Sequence, residues 1–128
     1  VYAVECDPAA CALIRRNREA FHACNLTLIE GRAPAALEAL PAPDAVFIGG
    51  TKGSMEAVVD TVLKKNPEAR LCISAIALET LSAAVAALTA HGLAAEVTQL
   101  AVSRTKPAGR LHLLMANNPI FLITGERR

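Results

Sequence analysis

Aromatic residues are almost missing from this chain. Among 128 residues there is no tryptophan, one tyrosine and three phenylalanines, although 53% of the residues are hydrophobic. Such a core must be built from Ala, Leu, Val and Ile, which suits helices layered on a sheet. The scarcity also leaves no basic, aromatic face for stacking nucleic-acid bases. Charge of one sign is lacking too: the net charge is +1 at pH 7, which by itself selects neither nucleic acid nor a membrane as partner. The cysteines Cys6, Cys11, Cys24 and Cys72 contain no C-x-x-C pair, and His22, His91 and His112 do not fall beside them as ligands would. That spacing argues against a metal site or a disulfide framework and predicts buried free thiols in a reducing cytosol. No signal-peptide pattern is present, and no apolar run reaches the ~18 residues of a membrane span. The length suits one domain with a real core. The expectation is a single-domain cytoplasmic protein.

What is present is an alternation of short apolar runs with amphipathic stretches. Val1 to Glu5 reads as a strand. Asp7-Pro8 then starts a helix, with a capping residue followed by proline at the first helical position. The helix runs over Ala9 to Ala23 and has one polar face. Leu26 to Ile29 reads as a strand, Ala33 to Leu40 as a short helix, and Ala45 to Ile48 as a strand closed by Gly49-Gly50. A helix capped by Ser54 runs to Lys64, Leu71 to Ile76 forms a strand, and Leu78 to His91 forms a helix stopped by Gly92. Glu96 to Arg104 is a fifth strand, Thr105 to Gly109 a loop, Leu111 to Met115 a strand extension or lining segment, and Pro119 to Thr124 the last strand. Strand–helix alternation with continuous apolar strands predicts an α/β fold around a mostly parallel sheet covered on both faces. No helix separates the last two strands, so they are expected to pair antiparallel at one edge.

In an open parallel sheet, ligands bind beyond the carboxyl ends of the strands. Glu5 ends the first strand, where a carboxylate can accept hydrogen bonds from a ribose diol; the bland alternative is a surface acid near a helix N-terminus. Gly49 and Gly50 end the third, either as a simple turn or as a place where a ligand meets backbone. Thr51, Lys52 and Gly53 resemble part of a phosphate loop, but the full G-x-x-x-x-G-K-[ST] pattern is absent. Lys52, Arg104, Lys106 and Arg110 are cations that could hold carboxylates or form a solvated face. His112 follows this basic stretch; His22 and His91 lie in helices and read as structural or exposed. No Ser/His/Asp or Cys/His constellation is legible from spacing, so no catalytic residue is assigned. A dinucleotide-type site also needs a glycine-rich turn, typically about 20 residues before the acid, and none precedes Glu5 here.

The segments VYAVECDPAACALIRRN, NLTLIEGRAPAALEALPAPDAVFIGG, LETLSAAVAAL, QLAVSR and NPIFLITG together resemble the precorrin methyltransferases of cobalamin biosynthesis. Among these they are most similar to the C-terminal, decarboxylating half of the C5,15-methyltransferases. The resemblance implies a Rossmann-like, class I S-adenosylmethionine-dependent methyltransferase domain: a three-layer, seven-stranded sheet with its last strand antiparallel. It implies that Val1 to Glu5 is the family's second strand, so that the first strand and its glycine-rich loop are expected to precede Val1. It implies a cofactor set of Glu5 on the ribose, Cys6 beside the adenine, Gly31, Arg32 and Ala33 at the adenine edge, and Gly49 and Gly50 at the methionine portion. Many relatives carry an acid where Arg32 stands; an arginine has no acceptor, so that contact is lost or falls to backbone. The implied substrate is a precorrin tetrapyrrole bearing many carboxylates, with Lys52, Arg104, Lys106 and Arg110 as its contacts. The implied reaction is methylation at C15 with loss of CO₂ from the C12 acetate. A homo-oligomer, favouring a tetramer, is also implied, with no nucleic-acid or membrane partner.

Two other readings compete. One is a methyltransferase acting on RNA, DNA or protein. The (N/D)-P-P-(Y/F) motif of amino-methylating enzymes is absent after Phe47-Ile48-Gly49-Gly50, and Asn118-Pro119 comes too late to serve that role. The other is a non-catalytic Rossmann-like fragment, because a sheet lacking a central strand leaves backbone unpaired in its middle.

Overall fold

The structure is a computed structural model and describes residues 1–51 and 53–127. The elements in chain order are β1 (Tyr2–Glu5), α1 (Pro8–Ala20), β2 (Thr27–Glu30), a 3₁₀ turn (Ala35–Leu37), β3 (Ala45–Ile48), α2 (Met55–Lys65), β4 (Arg70–Ala75), α3 (Leu78–Ala90), β5 (Ala94–Leu100), β6 (Ser103–Ala108), β7 (Leu111–Ala116) and β8 (Ile120–Glu126).

Local chemistry accounts for most boundaries. The Asp7 carboxylate accepts the Ala9 N–H at 2.9 Å and Pro8 opens α1, so two of the orphan donors of a helix start are dealt with. The helix ends at Ala20, earlier than its composition suggests, and His22 takes a left-handed φ of 51°. At the end of α3, Gly92 adopts φ +72°. Its N–H bonds the Thr89 carbonyl at 2.9 Å and the Leu93 N–H bonds the Leu88 carbonyl at 3.0 Å, the paired pattern of a Schellman stop. Ser54 stands at the start of α2 but does not cap it: its hydroxyl donates to the Thr51 carbonyl at 2.7 Å. The segment after β2 forms a single 3₁₀ turn and not a helix to Leu40, because Pro41 and Pro43 follow at once and neither can donate to a continuing helix.

Four strands form one sheet in the order β3-β4-β8-β5. β3 and β4 run parallel, while β8 is antiparallel to both β4 and β5. The last strand is thus antiparallel, as expected, but it lies inside the sheet between β4 and β5 and leaves β5 at the edge. The stretch expected to be a fifth strand, a loop and a lining segment is divided differently. β5 stops at Leu100, and residues 103–116 form a separate antiparallel hairpin, β6-β7. Gly109 leads its two-residue turn at φ +63°, a conformation that glycine takes without steric cost. β1 and β2 pair in parallel as a third sheet, with α1 packed on them.

The fully buried core lies between α2, α3 and one face of β3, β4 and β8. It contains Val58, Val59 and Val62 of α2, Leu71, Ile73 and Ala75 of β4, Ala84 and Leu88 of α3, and Ile123 of β8. Residues 71, 73 and 75 alternate with the half-buried Cys72 and Ser74, the period of two that a strand imposes. Coverage is therefore uneven: β5 is exposed over nearly its whole length, since no helix follows it to fold back. The thiols are unpaired, but only Cys11 is buried; Cys6 and Cys24 are exposed and Cys72 is intermediate. Cys6 and Cys24 lie in connections, which run over the surface.

α3 rests close on β8. A Cβ placed on Gly125 would come within 2.7 Å of Leu88 Cδ2, and Leu88 has no exposed surface into which to retreat. Gly125→Val is expected to lower unfolding free energy by about 1–3 kcal/mol through overpacking, read as a lower urea midpoint at unchanged slope.

Candidate functional site

β1 is short and ends on Glu5, whose Oε1 accepts the backbone N–H of Cys6 at 2.7 Å and of Asp7 at 2.8 Å. These two bonds hold the carboxylate at the strand tip. The Gly31 N–H donates to the Glu5 carbonyl at 2.9 Å, which continues the β1–β2 ladder by one step. It brings Gly31, Arg32 and Ala33 beside Glu5. Register also sets Glu30 next to Glu5. Two neighbouring carboxylates repel, and Arg15 of α1 forms an ion pair with Glu30 Oε1. That pairing draws one of the two charges toward α1.

Across from β1 stands β3. Its tip leads into Gly49 and Gly50, and the segment before it is tied down by the end of α2. Lys65 Nζ donates to the carbonyls of Glu38 and Leu40, both at 2.7 Å, the Asn66 amide donates to the Pro43 carbonyl at 2.8 Å, and the Arg70 N–H bonds the Asp44 carbonyl at 3.0 Å. The lysine and asparagine thus satisfy loop carbonyls that have no ladder partner.

Between the two strands lies a cleft of about 980 Å³, within the upper range of small-molecule sites. Its lower part is an apolar trough with Tyr2 and Val4 on one wall and Val46 and Phe47 on the other. Phe47 is 67% exposed there. Its upper part opens at the strand tips. All seven residues expected around a cofactor, Glu5, Cys6, Gly31, Arg32, Ala33, Gly49 and Gly50, line this one cleft. A Cβ on Gly49 or Gly50 would meet nothing within 4 Å, so their lack of side chain leaves open space. Gly31 differs, since a Cβ there would lie 3.0 Å from the Ala36 Cβ.

The expected substrate contacts are not gathered in the cleft. Arg104 and Lys106 lie on β6 and Arg110 in the hairpin turn, all exposed, and His112 lies on β7. None lines the cleft among the described residues. Lys52 lies outside the described residues. Sequence reasoning weighed Thr51 only as part of a phosphate loop and overlooked Asp7, Ser54 and Phe47 as site residues; all four also line the cleft. Asp7 and Ser54 carried signals that were spent on helix capping. Phe47 was taken for one more apolar strand residue, and only the gap beside β3 exposes it.

A family model described as a precorrin methyltransferase domain matches residues 1–127. The chain belongs to the precorrin methyltransferase family. Among curated proteins, the "Probable cobalt-precorrin-6B C(15)-methyltransferase (decarboxylating)" of Pyrobaculum calidifontis is 37% identical over 125 residues, covering 97% of this chain and 64% of that protein. Among solved structures, precorrin-6y C5,15-methyltransferase from Geobacter metallireducens superposes with a TM-score of 0.92 at 38% identity, covering 99% of this chain and 66% of that one. The precorrin 8w decarboxylase of Methanobacterium thermoautotrophicum gives 0.91 at 31% identity, covering 98% and 68%. The chain thus spans about two thirds of the length of these family members. The superpositions show that these family members share the Rossmann-like α/β fold described above.

The glycines of the cleft make a test that needs no ligand. Gly49→Ala and Gly50→Ala are expected to leave stability within ~0.5 kcal/mol, as surface changes do. Gly31→Ala is expected to lower it by about 1 kcal/mol through crowding of Ala36. Urea titrations of the three variants compare them directly.

Proposed function

We propose that this family member is an S-adenosylmethionine-dependent methyltransferase that methylates C15 of a precorrin macrocycle and decarboxylates its C12 acetate, in cobalamin biosynthesis. The observation that carries the cofactor reading is the convergence of Glu5, Gly31, Gly49 and Gly50, from three separate strand ends, on one cleft. The printed activities of the longer relatives support the substrate class.

The residues present fit the cofactor. The Glu5 carboxylate, oriented by the Cys6 and Asp7 amides, accepts the hydroxyls of a ribose. The open backbone at Gly49 and Gly50 lets the methionine portion approach without meeting a side chain. The contact with the adenine amino group falls to backbone near Arg32, since a guanidinium has no acceptor. S-adenosylmethionine supplies an electrophilic methyl group on a sulfonium. The carbon that receives it belongs to the macrocycle, and the pair of electrons released when CO₂ leaves the acetate returns to the ring. The protein's part is therefore to bind, orient and exclude water. Arg104, Lys106, Arg110 and Lys52 would hold the rim carboxylates of the substrate.

The trough between β1 and β3 bears on domain organisation. Neither strand has a hydrogen-bonded neighbour on that side among the described residues, and unpaired interior edges are costly. We read these residues as most of one methyltransferase domain whose trough is filled by a further strand carrying a glycine-rich turn. We read the protein as cytoplasmic and homo-oligomeric; no described helix is long and apolar enough to cross a membrane.

Calorimetric titration of S-adenosylhomocysteine into the full-length protein tests the cofactor reading. Glu5→Ala is expected to weaken binding by about 10- to 100-fold, as loss of a charge-assisted hydrogen bond of ~1.5–3 kcal/mol implies. Equal affinity in the two proteins rejects the ribose role, and absence of binding to the unmutated protein rejects the methyltransferase reading. Incubation with a cobalt-precorrin and labelled methyl donor then checks the substrate.

A further inference from the structure

The turn that joins β4 to α3 is built against its own stability. Ala77 stands at the N-cap of α3, and the start of that helix has no side-chain cap bond. A Ser, Thr, Asp or Asn in its place would supply one. On either side of Ala77 are Ile76, 76% exposed, and Leu78, 68% exposed. Two aliphatic side chains thus stand in water beside an uncapped helix start. Departures from local rules gather where a protein meets a ligand.

The place of this turn in the sheet indicates the ligand. β4 is the parallel neighbour of β3, with Ile73 opposite Ile48. Carried three residues further, the same register sets Ile76 level with Thr51, which lines the cleft. Neighbouring strands lie about 5 Å apart, so the turn borders the Gly49-Gly50 end, where the cofactor reading delivers the methyl group. Ile76 and Leu78 do not line the cleft itself; they stand just outside it. In the other direction the sheet continues through β8 to β5, three strand spacings or about 14 Å from β3. Beyond β5 comes the hairpin with Arg104, Lys106 and Arg110. None of these three cations forms an ion pair among the described residues.

We propose that Ile76, Ala77 and Leu78 form the surface on which one face of the tetrapyrrole lies, with its rim carboxylates turned toward the hairpin cations. The proposal rests on the substrate reading above and adds the apolar half of the contact. A macrocycle with an apolar face and a charged rim matches a sheet edge that is apolar beside the methyl donor and basic further on. Covering the two aliphatic side chains with the ring removes apolar area from water. The small Ala77 between them lets a flat ring approach. Glu79, exposed in the first turn of α3, repels carboxylates and so keeps the rim away from the helix. The cations stand apart from the cleft because they hold the far side of a molecule whose near side takes the methyl group.

Fluorescence titration of uroporphyrin, a porphyrin with a carboxylate rim, tests this on the full-length protein saturated with S-adenosylhomocysteine. Ile76→Ser and Leu78→Ser are each expected to weaken porphyrin binding by about 10-fold, as loss of an aliphatic contact implies. Their urea midpoints and S-adenosylhomocysteine affinities are expected to stay unchanged. Ala77→Asp supplies the missing cap and puts a charge on the surface. It is expected to raise the urea midpoint and yet weaken porphyrin binding, a loss that misfolding does not explain. Unchanged porphyrin affinity in the serine variants, or a stabilised Ala77→Asp protein that binds as before, overturns the proposal and leaves the substrate reading in place. Failure of the unmutated protein to bind the porphyrin overturns both. A parallel fall in S-adenosylhomocysteine affinity overturns the proposal by making the turn part of the cofactor cleft. A serine variant that sediments as a smaller species also overturns it, by making the turn a contact between copies.

Discussion

The placement of β8 governs the sheet. β4 and β5 run in the same direction, yet they are not neighbours; β8 lies between them and pairs antiparallel with each over most of its length. This brings Ile123 into the centre of the core and Gly125 under Leu88 of α3. Without β8, α3 would lose one of the strands it packs on and β5, among the described residues, its partner in the sheet. The chain's final strand therefore joins the α2–α3 core to the β5 edge, and a small side chain at position 125 is the condition for it.

The same arrangement sets what stands at the carboxyl edge. β3, β4 and β5 all end there, so Gly49-Gly50 and the root of the hairpin leave the sheet on the same side. The cleft and the hairpin are nonetheless distinct surfaces. The cleft is lined by strand tips and loops anchored through Lys65, Asn66 and Gly31. Among the described residues, the hairpin's backbone bonds are its own ladder and the Asn117–Val102 bond at its base.

Much of the candidate site was legible because its signals are short-range. Glu5 stands at the end of an apolar run, Gly31 and Gly49-Gly50 follow two others, and a parallel sheet places all strand ends together. What was not legible depends on pairing between distant segments. Phe47 was indistinguishable from a core residue until β3 was seen to lack a neighbour. The hairpin was missed because residues 103–116 mix charge, proline and leucine without clear alternation, and the ribbon is exposed on both faces. With no core face, there is nothing to impose a period of two.

The sequence by itself determined the order of strands and helices from β1 to α3, the 3₁₀ turn apart, and with it the Asp7-Pro8 start of α1, the Gly92 stop of α3 and the carboxylate at the tip of β1. Each rests on hydrogen bonds or steric limits among residues a few positions apart, so local composition is enough. Only the tertiary structure decided that β8 enters the middle of the sheet, that Ser54 bonds back to Thr51 instead of capping α2, and that Arg104, Lys106 and Arg110 stand apart from Glu5. An apolar strand satisfies its side chains equally well at several positions in a sheet. The choice among them is made by packing, here by how closely Leu88 can approach a strand that carries a glycine.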